Sequence, residues 1–245
     1  TTVVIPAGAG STNYLFKDTL VGTPTITNST TGLTAANQTQ TVTAAAAAMV
    51  RVETKADGSG TIVGAVALTS GISTNVFAIT RDAYSNFVAN VAADAWSLPT
   101  KTSNVFDGDL VPAGDSKSAT FTGHGTGTAV INAASGALTE VNSGTITVSA
   151  AAASKLLVLL PGETAAPGTA TGKTGTASAQ TAGAGYTITV NSVDLNWNLV
   201  SSTHTISITT SDANDVLPAN AALVGGARNF SLTNKTAGSW TITAT

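Results

Sequence analysis

Charged side chains are scarce in this sequence. Asp, Glu, Lys and Arg make up 9% of the 245 residues, against roughly 25% in an ordinary soluble domain, and the formal net charge is −3. A chain with so little charge has no electrostatic means of attracting nucleic acid or anionic lipid, so we expect neither as a partner. Hydrophobic residues, at 42%, exclude a charged disordered tail and leave enough apolar material for a core.

Cysteine is absent, which excludes both a disulfide framework and a thiolate metal site. The longest apolar stretches, residues 44–50 and 156–160, are far too short to span a bilayer, so we expect no membrane span. No charged-then-apolar leader follows Thr1, and the sequence is therefore interpreted as mature, processed or a fragment.

Residues suited to catalysis are few. His124 and His204 are the only histidines and lie 80 residues apart. Neither has the neighbour two or four residues away that a metal site, or a general base with its orienting group, would show. There are three glutamates and no Gly-x-Ser-x-Gly nucleophile elbow. We therefore expect a protein that is not an enzyme and holds no cofactor.

Residues 168–174, Gly-Thr-Ala-Thr-Gly-Lys-Thr, resemble a phosphate-binding loop only superficially. Three residues separate the two glycines where the phosphate cradle needs four. No helix pattern follows, so the backbone dipoles would not converge on a phosphate. The stretch is interpreted as a flexible loop.

Threonine is what the chain has in abundance, with 44 residues. Its branched side chain suits a pleated surface, and its hydroxyl keeps that surface wet without charge. Apolar and polar residues alternate at 187–190 and 239–243, as they do in half-buried strands. No stretch shows a helical period, which predicts an all-β protein with no helix longer than one turn.

The sequence repeats internally. A proline marker recurs at intervals of 106 residues, and a glycine marker follows it in each copy; these are Pro6, Pro112 and Pro218, with Gly22, Gly127 and Gly238. A period near 106 is too long for a solenoid and fits a β-sandwich domain. We predict tandem sandwiches with boundaries at 1–43, 44–149 and 150–245, the alanine runs 44–48 and 150–153 forming the junctions.

Two hairpin sequences carry a resemblance to a known family. Residues 82–88 read Asp-Ala-Tyr-Ser-Asn-Phe-Val and residues 194–200 read Asp-Leu-Asn-Trp-Asn-Leu-Val. Together with the endings at 127–133 and 238–244, they resemble the bacterial immunoglobulin-like repeats of invasin- and intimin-type adhesins and giant surface proteins. Ser85 and Trp197 stand where that family has glycine, and we expect this to change the turn type but not its role. The resemblance implies immunoglobulin-like sandwiches in a linear array.

The predicted repeat boundaries do not coincide with the ends of the sequence. Residues 1–43 supply the last three strands of a sandwich, and residues 150–245 lack the final one. Either the chain is a window of a longer array, which the arithmetic favours, or neighbouring copies complete each other. We expect residues 1–43 to be completed by strands from outside that segment, with Tyr14 and Phe16 facing the partner, because a half-sandwich leaves an apolar face and backbone groups open.

Four aspartates precede the proline markers. Carboxylates at a domain end are ligands that Ca²⁺ uses, but Asp is also a common turn former. The turn interpretation is favoured, and the weak metal candidates are Asp107, Asp109, Asp212 and Asp215. The hairpin residues Asp82 and Asp194 are likewise predicted to form Asx turns.

Aromatic residues are few enough to assign one by one. Trp96 and Trp240 are predicted to fill cores. Tyr84 and Trp197 fall at hairpin tips, where exposed rings are able to stack on a sugar or a protein. They are the candidate ligand contacts, although a role in the core or turn competes with that interpretation.

Four Asn-x-Ser/Thr sequences are candidate glycosylation sites, at Asn28, Asn37, Asn229 and Asn234. Chance supplies several such sequences in a chain rich in Thr and Asn.

Two functions remain in view. Low charge, missing site residues and alanine-rich junctions favour a structural repeat region of an extracellular stalk or filament at the cell surface. The alternative is an adhesin that binds a glycan or protein receptor through Tyr84 and Trp197.

Overall fold

The computed structural model describes residues 2–102 and 104–245. Within these ranges the regular structure consists of β-strands and a single 3₁₀ turn, Asp107–Asp109. No described segment forms a helix with the length and apolarity needed to cross a bilayer. We call residues 2–43 the first segment, residues 44–149 the middle repeat and residues 150–245 the third repeat.

The strands follow one another along the chain with short connections. The first segment contains β1 (Thr25–Asn28) and β2 (Ala36–Thr39). The middle repeat contains β3 (Met49–Glu53), β4 (Val66–Thr69), β5 (Ser73–Arg81), β6 (Phe87–Asn90), β7 (Ala95–Lys101), β8 (Leu110–Pro112), β9 (Ser118–Thr122), β10 (Gly127–Ala134), β11 (Thr139–Val141) and β12 (Ile146–Ser149). The third repeat contains β13 (Lys155–Leu159), β14 (Glu163–Ala165), β15 (Lys173–Gly175), β16 (Tyr186–Val193), β17 (Thr205–Ile206), β18 (Ile208–Thr210), β19 (Ala221–Ala222), β20 (Ala227–Leu232) and β21 (Ile242–Ala244).

The middle repeat is built from two sheets. One has the order β11-β3-β5-β9-β8, with β6 also paired to β5, and the other has the order β4-β12-β10-β7. The pairs β11–β3 and β12–β4 are parallel, and the remaining pairs are antiparallel. Val50 and Phe121 from the first sheet join Ile131 and Ile146 from the second in one buried cluster. Alternate side chains along each strand therefore point into this cluster, and the two sheets form a β-sandwich with one shared core.

The third repeat has a second buried cluster. It includes Ile188 and Phe230 from the sheet β13-β16-β20, together with Ile206 and Ile208 from the short strands. Among the described residues β21 pairs only with β18, whereas its counterpart β10 lies between β7 and β12. The predicted fold class is confirmed: the chain is all-β, and its sheets pack as immunoglobulin-like β-sandwiches. The exact domain boundaries stay a prediction.

The first segment contributes little to either core. β1 and β2 pair with each other, and Gly22 forms a bridge with Val42. Its residues are exposed or half-buried, with Tyr14 45% and Phe16 46% exposed. The expectation that strands from outside the segment cover Tyr14 and Phe16 stays a prediction.

The two tryptophans that the sequence assigns to cores differ in the structure. Trp96 packs against the middle core, and its indole N–H donates to the carbonyl of Ser116 at 3.0 Å. The prediction for Trp240 is wrong, because this side chain is 37% exposed. No described strand covers that side of β21, so the indole lies over Gly238 and donates to the carbonyl of Thr236 at 2.8 Å.

Candidate functional site: the junctions between repeats

Two hairpins of the same design lie where one repeat meets the next. We call residues 82–86 and 194–198 the junction hairpins. In the first, one carboxylate oxygen of Asp82 accepts the backbone N–H groups of Tyr84 and Asn86, each at 2.9 Å. In the second, Asp194 accepts the N–H groups of Asn196 and Asn198, also at 2.9 Å. The predicted Asx turns are confirmed.

The second carboxylate oxygen of each aspartate holds the start of its own repeat. Asp82 Oδ2 accepts the N–H of Ala45 at 3.0 Å, and Asp194 Oδ2 accepts the N–H of Ala151 at 2.9 Å. Both alanines belong to the runs that the sequence analysis assigns to junctions. The hairpin and the connecting segment are therefore tied together through one buried carboxylate in each repeat.

These hydrogen bonds act on the acidity of both aspartates. The bond from the Asn86 side chain, followed by the backbone N–H bonds, lowers the pKa of Asp82 from 3.8 to about 2. Burial by itself raises the pKa of Asp194, but the N–H groups of Ala151 and Asn198 outweigh it, and the pKa lies below its ordinary value. Both side chains are therefore ionised acceptors at neutral pH.

The residue before each junction asparagine has a left-handed backbone. The φ angles are 70° at Ser85 and 67° at Trp197, in the region that glycine adopts without strain. The expectation that replacing the family's glycine changes the turn type is wrong, because the backbone keeps the conformation that glycine favours. Hydrogen bonds to Asp82 and Asp194 on either side of these residues hold it there.

Asn86 reaches out of the middle repeat. Its Oδ1 accepts the N–H of Val21 at 3.1 Å, and its Nδ2 donates to the carbonyl of Thr19 at 2.7 Å. The same amide donates its other hydrogen to Asp82 Oδ2 at 2.8 Å. Both hydrogens and the oxygen are thus used, and the asparagine is buried.

Asn198 repeats this arrangement between the middle and third repeats. Its Oδ1 accepts the N–H of Thr126, and its Nδ2 donates to the carbonyl of His124, each at 2.8 Å. The amide also lies 3.0 Å from Asp194 Oδ2. The bound groups lie one and three residues before Gly127, just as Val21 and Thr19 lie one and three before Gly22.

The amide therefore pairs with a strand end as one residue of a parallel neighbouring strand would. A residue of such a strand donates to the C=O of one residue and accepts from the N–H of the residue two positions later. A flipped amide would direct its NH₂ at an N–H and its oxygen at two acceptors. The ionised aspartate thus determines the orientation of the asparagine, and the asparagine engages the preceding repeat.

Further polar contacts reinforce the second junction. Ser70 Oγ donates to the carbonyl of His124 at 2.7 Å and accepts Asn196 Nδ2 at 2.8 Å. The N–H of Gly168 donates to the carbonyl of Asn196 at 2.8 Å, and a Cβ at Gly168 would lie 3.1 Å from the nitrogen of Gly125. The glycine-rich stretch 168–174 thus packs at this junction, and the close approach together with a φ of 77° favours glycine at position 168.

Each histidine has one side-chain partner: Asp109, which lies 15 residues from His124 and so outside the range that the sequence test covers, and Ser202, a hydroxyl two residues before His204. His124 Nδ1 lies 2.7 Å from Asp109 Oδ1, and His204 Nδ1 lies 2.5 Å from Ser202 Oγ. In the part of the chain that the structure describes, neither ring makes a further side-chain hydrogen bond. Asp109 also accepts the N–H of Phe106 at 2.9 Å, and it thereby links the segment around Phe106 to His124, whose carbonyl Asn198 binds.

The candidate metal ligands are dispersed. Asp107 binds the Lys101 ammonium at 2.8 Å, Asp212 accepts the N–H groups of Asn214 and Lys235, and Asp215 accepts the Thr210 hydroxyl. Residues 2–102 and 104–245 contain no group of three or more His, Cys, Asp or Glu side chains arranged for a metal ion.

The candidate ligand contacts lie on separate hairpins. Tyr84 is 53% exposed. Trp197 is half-buried: the Lys155 ammonium lies 3.2 Å from its ring centroid, and a Cβ on Gly172 would overlap the indole. The structure does not bring Tyr84 and Trp197 together.

Three of the candidate glycosylation sites, Asn28, Asn37 and Asn229, are exposed. Asn234 is half-buried, and its Oδ1 accepts the hydroxyl of Tyr186.

Asn86 and Asn198 are the residues whose role sequence reasoning misses. Both belong to the motif that carries the family resemblance, but their bonding partners lie 67 and 74 residues away. The available signal is their recurrence four residues after an aspartate in both repeats, since a turn needs the aspartate but not the asparagine.

No protein-family model matches this sequence, and no curated protein matches it either. Three solved structures show what the chain is similar to in shape. Domains 5–6 of the S-layer protein SbsC share 16% identity, covering 80% of this chain and 91% of that one, with a TM-score of 0.28. The Escherichia coli adhesin FdeC shares 17%, covering 86% and 63%, with a TM-score of 0.30. The Parabacteroides merdae β-glucuronidase shares 11%, covering 74% and 21%, with a TM-score of 0.27.

The chain thus spans about a fifth of the β-glucuronidase. At these TM-scores none of the three likenesses carries an argument about function.

Proposed function

We propose that this chain is a structural repeat region of an extracellular stalk or filament at a cell surface, without catalytic activity, in which buried Asp–Asn pairs hold successive immunoglobulin-like repeats in a defined relation. The observation that carries the proposal is the recurrence of one arrangement at two junctions. Asn86 and Asn198 each donate to a backbone C=O and accept a backbone N–H in the preceding part of the chain. The C=O lies three residues, and the N–H one residue, before a glycine marker.

The bonds favour a spacer because they restrain bending. Flexible linkers leave neighbouring domains free to reorient. Here the N–H of Ala151 is fixed to Asp194, and Asn198 is fixed to the preceding repeat, so both the linker and the hairpin resist reorientation. Buried polar groups that are satisfied by one another specify a single arrangement, since any other leaves them unpaired.

Scarce charge is compatible with this role. A threonine-covered surface remains hydrated without charge and makes few ionic contacts with solutes, which suits a spacer.

Loss of junction order is measurable in solution by small-angle X-ray scattering. We expect the wild-type chain to fit one arrangement of its repeats, and the double variant Asn86→Asp/Asn198→Asp to require an ensemble of arrangements. An ensemble for the wild type would contradict the proposal.

Adhesion remains the second candidate function, and the exposure of Tyr84 favours it. An aromatic ring that is 53% exposed at a hairpin tip has the geometry for stacking on a sugar or a receptor. Binding on a glycan array that is lost in Tyr84→Ala and kept in Leu195→Ala, an exposed residue of the other hairpin, would establish it. If the wild-type chain bound nothing on such arrays, the adhesin proposal for glycans would be wrong.

A further inference from the structure

The third repeat has an open groove beside β21. It is lined by residues 177–182 and 236–240, together with Leu160, Pro161, Tyr186, Asn234 and Ile242. Its volume is about 480 Å³, within the range of roughly 300–1,000 Å³ typical of ligand clefts.

The corresponding place in the middle repeat is filled by β12. This strand runs antiparallel to β10 and parallel to β4, and it buries Ile146 and Val148. The equivalence of the two places follows from matching glycines. Gly127 at the start of β10 and Gly238 before β21 share a φ of 156°. Gly71 follows β4 with a φ of 90°, and Gly183 follows residues 177–182, the other wall of the groove, with a φ of 80°.

Backbone groups on both walls face the groove. β21 is bonded to β18 through alternate residues: Ser211 N–H donates to Thr241, and Ser207 N–H to Thr245. Because an antiparallel strand directs successive residues to opposite sides, the backbone groups of Trp240 and Ile242 point away from β18, towards the groove.

The opposite wall, residues 177–182, occupies the position that β4 has in the middle repeat. There the N–H groups of Val66 and Ser70 donate to Thr145 and Ser149, so even-numbered residues face β12. The same alternation, 112 residues later, places the N–H groups of Ser178 and Gln180 on the groove side. That of Ser178 already donates to the carbonyl of Pro161, a lining residue, at 2.7 Å. Gln180 is exposed, and within the described ranges its N–H has no acceptor.

We propose that this groove binds an extended polypeptide segment as an added β-strand, antiparallel to β21 and parallel to residues 178–181. The segment carries two aliphatic side chains at alternate positions with Thr or Ser between them, as residues 144–149 do, Gly-Thr-Ile-Thr-Val-Ser. The aliphatic side chains enter beside Ile242 and Leu160, which pack against the buried cluster of the third repeat. The hydroxyl residues face solvent.

A strand fits this groove better than a compact ligand does. One side of it is the edge of β21 that faces away from β18, and the other is the extended segment 177–181, where the N–H of Gln180 has no acceptor within the described ranges. An added strand bonds to both through its main chain while its alternate side chains fill the space between them. The groove lies within the third repeat and involves neither Asn86 nor Asn198, so the proposed structural role and strand binding are tested independently.

The direct test is to titrate the full-length chain, labelled with ¹⁵N, with a synthetic peptide of residues 143–150. The three tryptophans give three indole signals, and Trp240→Phe identifies the one at the groove. We expect a saturable shift of the Trp240 signal, with the signals of Trp96 and Trp197 unchanged. The control is a peptide of the same composition in which the aliphatic residues are adjacent, and it should shift nothing.

Two variants of the groove wall make the test specific. Gln180→Pro removes the N–H that faces the groove, and Gln180→Ala keeps it. We expect Gln180→Pro to weaken peptide binding by about tenfold, since one hydrogen bond of about 1.4 kcal/mol is tenfold in affinity, and Gln180→Ala to leave it unchanged. The proposal is overturned if millimolar peptide leaves the Trp240 signal in place, if the control peptide shifts it equally, or if both variants bind alike.

Discussion

The side chain of Asn198 donates a hydrogen bond of 2.8 Å to the carbonyl of His124, and this bond crosses from the third repeat to the middle repeat. Its counterpart joins Asn86 to Thr19 at 2.7 Å. In both places an ionised aspartate four residues earlier accepts the other amide hydrogen. The turn-forming aspartate of a hairpin thereby also orients the group that binds the next repeat.

Acid is expected to destabilise the junction hairpins through Asp82. Its folded-state pKa of about 2 lies below the ordinary 3.8, so the ionised carboxylate stabilises the fold above about pH 4, and that contribution is lost as the pH falls towards 2. Asp82→Asn removes the titrating group and turns an NH₂ towards backbone N–H donors.

Urea unfolding followed between pH 5 and pH 2 measures this effect. We expect the midpoint of the wild-type chain to fall more steeply below about pH 4 than that of Asp82→Asn, so that the two curves converge near pH 2. Parallel curves would show that Asp82 is not a source of the acid sensitivity.

The middle repeat should depend strongly on one buried ion pair. Arg81 donates two hydrogen bonds of 2.6 Å to Glu53, whose side chain is 1% exposed. Glu53→Gln leaves the guanidinium buried without its counter-charge, which costs about 3 kcal/mol of unfolding free energy. Chemical denaturation measures the loss.

The exposed pair Lys101–Asp107 provides the matched control. Asp107 is 77% exposed at its side chain, so Asp107→Asn should cost less than about 0.5 kcal/mol. Equal costs for Glu53→Gln and Asp107→Asn would contradict the role assigned to the buried pair.

Calcium is expected to have no effect on stability. The carboxylates of Asp107, Asp109, Asp212 and Asp215 already accept hydrogen bonds from protein donors, and a metal ion would have to displace them. Thermal unfolding should give the same Tm in EDTA and in millimolar Ca²⁺. A saturable rise of several degrees with Ca²⁺ would instead show that these residues form a site, because a ligand that binds the folded state raises its stability.

Local pattern explains which features the sequence predicts. The proline and glycine markers recur at the period of a sandwich, and alternating Thr and aliphatic residues predict the strands. Asp82 and Asp194 are identifiable as turn formers because an Asx turn involves residues only two positions apart. These features depend on neighbours in the chain, which a sequence displays directly.

Features that depend on distant partners are not predictable in this way. The contacts of Asn198 with His124 and of Arg81 with Glu53 join residues 74 and 28 positions apart. The exposure of Trp240 depends on whether a further strand covers β21. The apolar character of tryptophan and the alternating pattern around it favour a core position, so the sequence alone predicts the wrong environment. Asn86 and Asn198 resemble ordinary turn residues until the groups they bind are known.

The most direct test of the account is to measure residual dipolar couplings in the wild-type chain and in Asn198→Asp. An aspartate at position 198 cannot donate to His124 and places a second negative charge beside Asp194, so the junction should loosen while each repeat stays folded. Asn75→Asp is the control, because Asn75 is exposed and its Oδ1 only accepts the Thr120 hydroxyl at 2.8 Å. We predict one common alignment tensor for the middle and third repeats in the wild type and the control, and two different tensors in Asn198→Asp. Different tensors in the wild type, or a single tensor in Asn198→Asp, would contradict the claim that these asparagines hold the repeats together.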